Sequence, residues 1–193
     1  LSDDFTLYLK SSESMDEVSD QSIDLIVTSP PYWKKRNYGV DGQIGLEESS
    51  EDYLTNLLKV FDECQRVLKD SGSMFIVIGD TYNSNGSLQN IPQRLSIELT
   101  DRGWLSRNWL VWHKTNPKPE SVKTRWNTSY EFILFLTKSQ NYYFDIDSIR
   151  VPYKNNSIYS GSPRHHNLNH SPQIHQETLV NPLGKLPHDF LDD

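Results

Sequence analysis

The chain has 193 residues, 26 acidic side chains against 19 basic ones, a formal net charge of -7 and a single cysteine. The length is that of one ordinary domain able to bury a core, and one cysteine excludes internal disulfides and cysteine-rich zinc sites. A mean hydropathy of -0.66, with no apolar run near the roughly 18 residues of a membrane-crossing helix, points to a cytoplasmic protein that makes no use of a membrane. Residues Phe5 to Leu9 alternate in the manner of a half-buried strand, and Ser11-Ser12 with Glu13 and Asp16 open a short helix ending near Val18. The apolar run Ile23-Asp24-Leu25-Ile26-Val27 is a buried strand that ends in Thr28-Ser29-Pro30-Pro31-Tyr32. Lys34 to Leu46 carries three glycines and is expected to be a loop beside the site, able to act as a lid.

From Glu51 to Leu68 apolar residues recur at helical spacing, and Asp70-Ser71-Gly72 is expected to stop that helix. Met74 to Ile78 is a fully buried strand, tipped by Gly79-Asp80-Thr81-Tyr82. A helix over Pro92 to Arg102 and a strand over Trp104 to Trp112 follow, and then Trp112 to Pro119 leaves the sheet because of its prolines. Tyr130 to Lys138 is a strand, with Tyr142-Tyr143-Phe144 returning, so the sheet should close on an antiparallel pair. Strands alternating with helices argue for a doubly wound α/β sheet, in which ligands bind beyond the carboxyl ends of the strands. After Arg150 no period persists, and the domain boundary is placed there: residues 1–149 as the catalytic portion and 150–193 as an irregular target-recognition segment. Its Arg164-His165-His166, His170 and His175 match no standard metal spacing, so no metal is expected.

The string Thr28-Ser29-Pro30-Pro31-Tyr32 resembles the catalytic motif of the amino-group DNA methyltransferases, and its serine form most resembles the N4-cytosine enzymes. Gly79-Asp80-Thr81-Tyr82, Trp112-His113-Lys114, Tyr130 to Phe135 and Asn181-Pro182-Leu183-Gly184-Lys185 follow in the order of the beta group of that family. The resemblance implies a Rossmann-like, S-adenosylmethionine-dependent methyltransferase fold, with S-adenosyl-L-methionine as cofactor and double-stranded DNA as partner, in a restriction-modification setting. It also implies a glycine-rich cofactor block after the recognition region, and this sequence contains no glycine-rich loop following a strand. The fold is therefore expected to be incomplete, with the cofactor half on a second chain or a missing C-terminal portion. In the family's sheet, loss of that block leaves the strand at 23–28 as an exposed edge that invites pairing.

The chemistry of the motif follows from its residue types. An exocyclic amine is a poor nucleophile because its lone pair is conjugated into the ring. Acceptors such as Ser29 Oγ and the Pro30 carbonyl bind the amine more strongly as it turns tetrahedral. Two prolines, Pro30 and Pro31, remove donors and stiffen the turn. Tyr32 would stack its face on a base extruded from the duplex, leaving its hydroxyl idle. Ser29, Pro30, Pro31 and Tyr32 are thus the catalytic candidates, with Thr28, Gly79 and Asp80 facing the cofactor. The charge is divided unevenly: residues 1–100 sum to -9 and residues 101–193 to +2. DNA contact is accordingly expected from Lys114, Lys118, Lys123, Arg125 and Arg164. Three readings remain open at this point: N4-cytosine transfer, N6-adenine transfer, and a non-catalytic DNA-binding subunit. Cys64 is expected in the core, which leaves no thiol for carbon-5 chemistry.

Overall fold

The computed structural model describes residues 5–153 and 183–192. Its elements are β1 (Ile23–Thr28), α1 (Ser50–Val67), β2 (Leu68–Ile78), α2 (Ile91–Asp101), β3 (Leu105–His113), β4 (Tyr130–Thr137) and β5 (Phe190–Asp192). They form one sheet in the order β1-β2-β4-β3-β5. β1 and β2 are parallel, β4 runs antiparallel to both β2 and β3, and β5 lies parallel to β3. The carboxyl ends of β1, β2 and β3 and the amino end of β4 therefore share one edge. By contact, residues 1–143 with 189–193 form one compact unit and residues 144–188 another.

α1 begins where Ser49 accepts a hydrogen bond from the Asp52 N–H at 3.0 Å, with Glu51 and Asp52 in the first turn complementing the helix dipole. Its buried face, Tyr53, Leu57, Phe61 and Cys64, repeats every three to four residues and packs with Leu95 and Leu99 of α2 against one face of the sheet. That face presents Met74, Ile76 and Ile78 of β2 with Leu134 and Leu136 of β4, all fully buried. Across the other face the register aligns Val27, Phe75 and Phe135. Phe75 and Phe135 stack at 4.6 Å, and Tyr142 covers Phe135 edge-on. Cys64 is buried, and burial pushes its thiol up to about 12, so it is inert at neutral pH.

Four expectations are corrected. Residues 5–9 are not a strand: Phe5, Leu7 and Leu9 stand 82%, 83% and 102% exposed, so the alternating pattern finds no surface on which to bury its apolar face. Residues 11–18 form turns rather than a helix, because side chains of α1 take the backbone groups a helix would use. Arg66 donates to the Met15 and Val18 carbonyls at 2.9 Å each, and Glu63 accepts from the Met15 N–H at 2.8 Å. Arg66 and that N–H hold the Glu63 carboxyl down at about 2. Asp70-Ser71-Gly72 does not stop α1, which passes directly into β2 at Leu68. Instead it lies in a bulge where β2 advances from Leu68 to Ser73 while β1 advances from Ile23 to Leu25. Tyr142 to Phe144 adds no strand, Tyr143 bonding by its N–H to the Ser71 carbonyl. The short β5 was also outside expectation, its two apolar residues being too few to show a period.

Among the described residues β1 is an edge strand, as the resemblance implies, and not the buried strand its apolar run suggests: none of its residues is buried, and Leu25 is 54% and Val27 66% exposed, because the open edge leaves one face uncovered. The bulge generates a stability prediction. A Cβ on Gly72 would lie 2.7 Å from Leu68 Cδ1 and 2.9 Å from the Asp24 carbonyl oxygen. Gly72→Ala should therefore cost about 1–3 kcal/mol by overpacking, read as a lowered unfolding midpoint in denaturant with an unchanged slope.

Candidate active site

The parallel register places Thr28 opposite Ile76, so the Ser-Pro-Pro-Tyr tip projects beside the Gly79 tip of β2. Pro30 is buried and Ser29 is exposed at the surface of the turn. The Pro31 carbonyl, freed from the sheet, accepts a hydrogen bond at 2.8 Å from the hydroxyl of Tyr53, whose side chain is wholly buried in α1. Gly45 closes on the same turn, where a Cβ would stand 3.3 Å from Pro31 Cβ and from the Tyr32 carbonyl. With its φ of +106°, this position suits glycine on both counts.

Tyr32 is held at two points. Its ring lies against Gly79, where a Cβ would come within 2.9 Å of Tyr32 Cε2, and its hydroxyl donates to Glu131 Oε2 at 2.9 Å. The hydroxyl is not idle, which corrects the reading of Tyr32 as a bare stacking face. Burial drives the phenol well above the usual tyrosine range, the Ser29 hydroxyl beside it works the other way, and the Glu131 charge adds to the rise. The phenol is therefore a fixed donor at any physiological pH. Glu131 Oε1 in turn accepts from Lys114 Nζ, whose ammonium also sits 5.5 Å over the Trp112 ring.

Of the residues expected to face a cofactor, Thr28 is half-buried at the end of β1 and Gly79 carries the Tyr32 ring. Asp80 has a structural task. Its Oδ1 accepts from the Thr81 and Ile91 N–H groups at 2.8 and 3.1 Å, and its Oδ2 accepts from the Asn90 N–H at 2.8 Å. Asn90 starts α2 in the left-handed region without a side-chain cap of its own, so Asp80 supplies that cap from the neighbouring strand.

Among the expected DNA contacts, Lys118 and Lys123 are exposed, while Lys114 is engaged by Glu131. Arg125 pairs with Glu120 at 2.6 Å and stacks over the Tyr82 ring at 3.8 Å, which clasps the 114–129 loop to the β2 tip. Arg164 and the histidine-rich stretch lie outside the described residues. Sequence reasoning missed Glu131, although one acid at the head of an otherwise apolar strand was a visible signal. It also missed Lys34-Lys35-Arg36, three consecutive exposed cations directly after the tip. The cap yields a prediction: Asp80→Ala should lower stability by about 1–2 kcal/mol, read as a lower thermal midpoint, because three backbone donors lose their acceptor.

A family model described as DNA methylase matches residues 23–183. The type II methyltransferase M.SfiI of Streptomyces fimbriatus is 41% identical over 168 residues, covering 78% of this chain and 40% of that protein. M.SmaI of Serratia marcescens, also a type II methyltransferase, is 35% identical over 168 residues, covering 72% and 58%. Among solved structures, the cytosine-N4-specific PvuII DNA methyltransferase superposes with a TM-score of 0.62 at 20% identity, covering 79% of this chain and 59% of that one. The Thermus thermophilus protein TTHA0409, complexed with S-adenosyl-L-methionine, gives a TM-score of 0.51 at 28% identity, covering 69% and 56%. The chain spans about half the length of the relatives it matches. The order of its tips along the sheet edge and the match over most of its length agree: the chain belongs to the DNA methylase family.

Proposed function

We propose that this chain is the catalytic and target-facing portion of a site-specific DNA methyltransferase. In this reading a methyl group passes from S-adenosyl-L-methionine to the N4 amine of an extruded cytosine, in a type II restriction-modification setting. The observation that carries the reading is the position of the Ser-Pro-Pro-Tyr tip, at the carboxyl end of β1 with Ser29 exposed and the Tyr32 ring seated on Gly79. The likeness to type II methyltransferases supports DNA as substrate, and the serine form of the motif supports cytosine. Ser29 Oγ and the Pro30 carbonyl accept the two amine hydrogens, and their hold tightens as the nitrogen becomes tetrahedral. Tyr32 flanks the extruded base.

The cofactor supplies an electrophilic methyl group. The residues present fit one wall of its site. Thr28 and Gly79 stand at the ends of adjacent parallel strands, and Asp80 shapes the connecting loop through its three backbone bonds. The facing wall is assigned to a glycine-rich segment on a strand that pairs with the open edge of β1 and covers Leu25 and Val27. That strand comes from further residues of the polypeptide or from a second chain. Target recognition is assigned to the segment around Arg164.

The test is transfer from radiolabelled S-adenosylmethionine to duplex DNA by this chain together with the donor half, whether on the same polypeptide or a second one, followed by separation of the nucleosides. Labelled N4-methyldeoxycytidine is expected, and label in N6-methyldeoxyadenosine would overturn the base assignment. Ser29→Ala should lose about 100- to 1,000-fold in rate while retaining DNA affinity. Residues 1–193 alone should give no product, and product from them would place the whole donor site within this chain.

The sheet edge that bears the site also suits a phosphate backbone. Lys35, Arg36, Lys118 and Lys123 are exposed on its loops; of the acids there, Asp41 and Glu48 are exposed too, while Glu47, Asp80 and Glu120 are occupied by Gly45 and Asn56, by the α2 cap, and by Arg125. Lys118 and Lys123 are the direct phosphate contacts in this reading, with Lys114 and Arg125 ordering the loop that presents them. Neutralising Lys118 and Lys123 should weaken binding to all sequences alike and flatten the salt dependence by about one unit of slope per residue. Lys114→Ala should flatten it less, since Glu131 already matches that charge. A salt titration that does not respond to the loss of Lys118 and Lys123 would place the DNA elsewhere.

A further inference from the structure

Glu131 stands second in β4, followed by Phe132, Ile133, Leu134, Phe135 and Leu136. Its side chain is 18% exposed, and a carboxylate so placed is costly unless its oxygens are matched. Each oxygen has its own partner: Oε2 receives the Tyr32 hydroxyl and Oε1 the Lys114 ammonium. An apolar residue here with phenylalanine at position 32 would fill the same space without that cost, so stability alone does not account for the arrangement. What the pair adds is direction. The Tyr32 ring abuts Gly79 along one edge, and Glu131 fastens its far end, so the turn of the side chain about Cα–Cβ is fixed from both ends.

We infer that Glu131 is a positioning residue for methyl transfer, acting through the Tyr32 hydroxyl to hold the ring and the neighbouring Ser29 in the geometry that meets the extruded base. The inference rests on the methyltransferase reading above. Tyr32 gives its proton to Glu131, whose other oxygen is held by Lys114, and Ser29 stands three residues before Tyr32 on the same turn. Fixing the Tyr32 side chain therefore fixes one end of the short proline turn whose other end is Ser29, the acceptor proposed for the amine. Hydrogen bonds in such a chain strengthen one another, and preorganisation of this kind lowers the barrier without tightening substrate binding.

The test is a double-mutant cycle on the protein with its donor half present, on the same polypeptide or a second one, with single-turnover methylation at saturating DNA, KM for DNA and thermal midpoint measured for each variant. Tyr32→Phe and Glu131→Ala should each slow transfer by about tenfold, and the double variant should be no slower than the slower single. Glu131→Gln, which keeps an acceptor for the hydroxyl, should retain most of the rate. KM for DNA should stay within about twofold of the parent. Losses that multiply in the double variant, or single variants as fast as the parent, would overturn the role of Glu131. So would rate losses that merely track a falling thermal midpoint. A parent that transfers no methyl group would instead overturn the reaction assigned above, and this role with it.

Discussion

The parallel pairing of β1 with β2 is the constraint on which the rest depends. Its register, Thr28 on Ile76, decides that the two strands end within a few residues of each other. The turn after β1 then has a backbone, not a solvent gap, to rest against. Gly79 lacks a Cβ where one would strike the Tyr32 ring. A slip of one residue would turn Ile26 outward, put Val27 into the core and carry Tyr32 off that seat. The bulge at Gly72 matters for the same reason: it absorbs the surplus of β2 early in the strand, so that the upper rungs align.

Around that register the polar groups of the tips are matched one to one by elements that come from elsewhere in the chain. Tyr53 of α1 serves the Pro31 carbonyl, Asp80 of the β2 tip serves the start of α2, and Glu131 of β4 serves Tyr32. The first two answer a local shortage created by a proline turn or by a helix end, and the third fixes a side chain from 99 positions away. The motif turn is therefore ordered by the helix layer below it and by the strands beside it.

This division explains what a single sequence discloses. α1 and α2 are legible because their apolar period and their Ser49 or Pro92 starts are local signals. Met74 to Ile78 is legible as a strand from its short apolar run, of which Met74, Ile76 and Ile78 are fully buried. The tips are legible as chemistry, since Ser-Pro-Pro-Tyr and Gly-Asp can be read from residue types. What escaped depends on partners far along the chain. Residues 5–9 have a strand's pattern but bury no side chain, and the backbone of Met15 is claimed by Glu63 and Arg66 from 48 and 51 residues away. That Asp80 also caps α2 is not legible until the unusual conformation of Asn90 is known. Glu131 acquires its meaning only from Tyr32, 99 positions distant in sequence.

The loop expected to be a lid has a different mechanical character. Its base is rung together by the Lys34 N–H on the Gly45 carbonyl at 2.7 Å and by Trp33 Nε1 on the Glu47 carbonyl at 3.0 Å. Higher up, Gln43 spans it, donating to the Arg36 carbonyl and accepting from the Tyr38 N–H, both at 2.7 Å. The first rung lies two residues from Tyr32, and the Lys35 N–H bonds to the carbonyl of Tyr32 itself at 3.2 Å. Such a loop is braced against the turn it follows. A load applied to the side chains of Lys35 or Arg36 travels through these rungs to the peptide that carries the tyrosine, so tension at the rim and strain at the turn are one mechanical event.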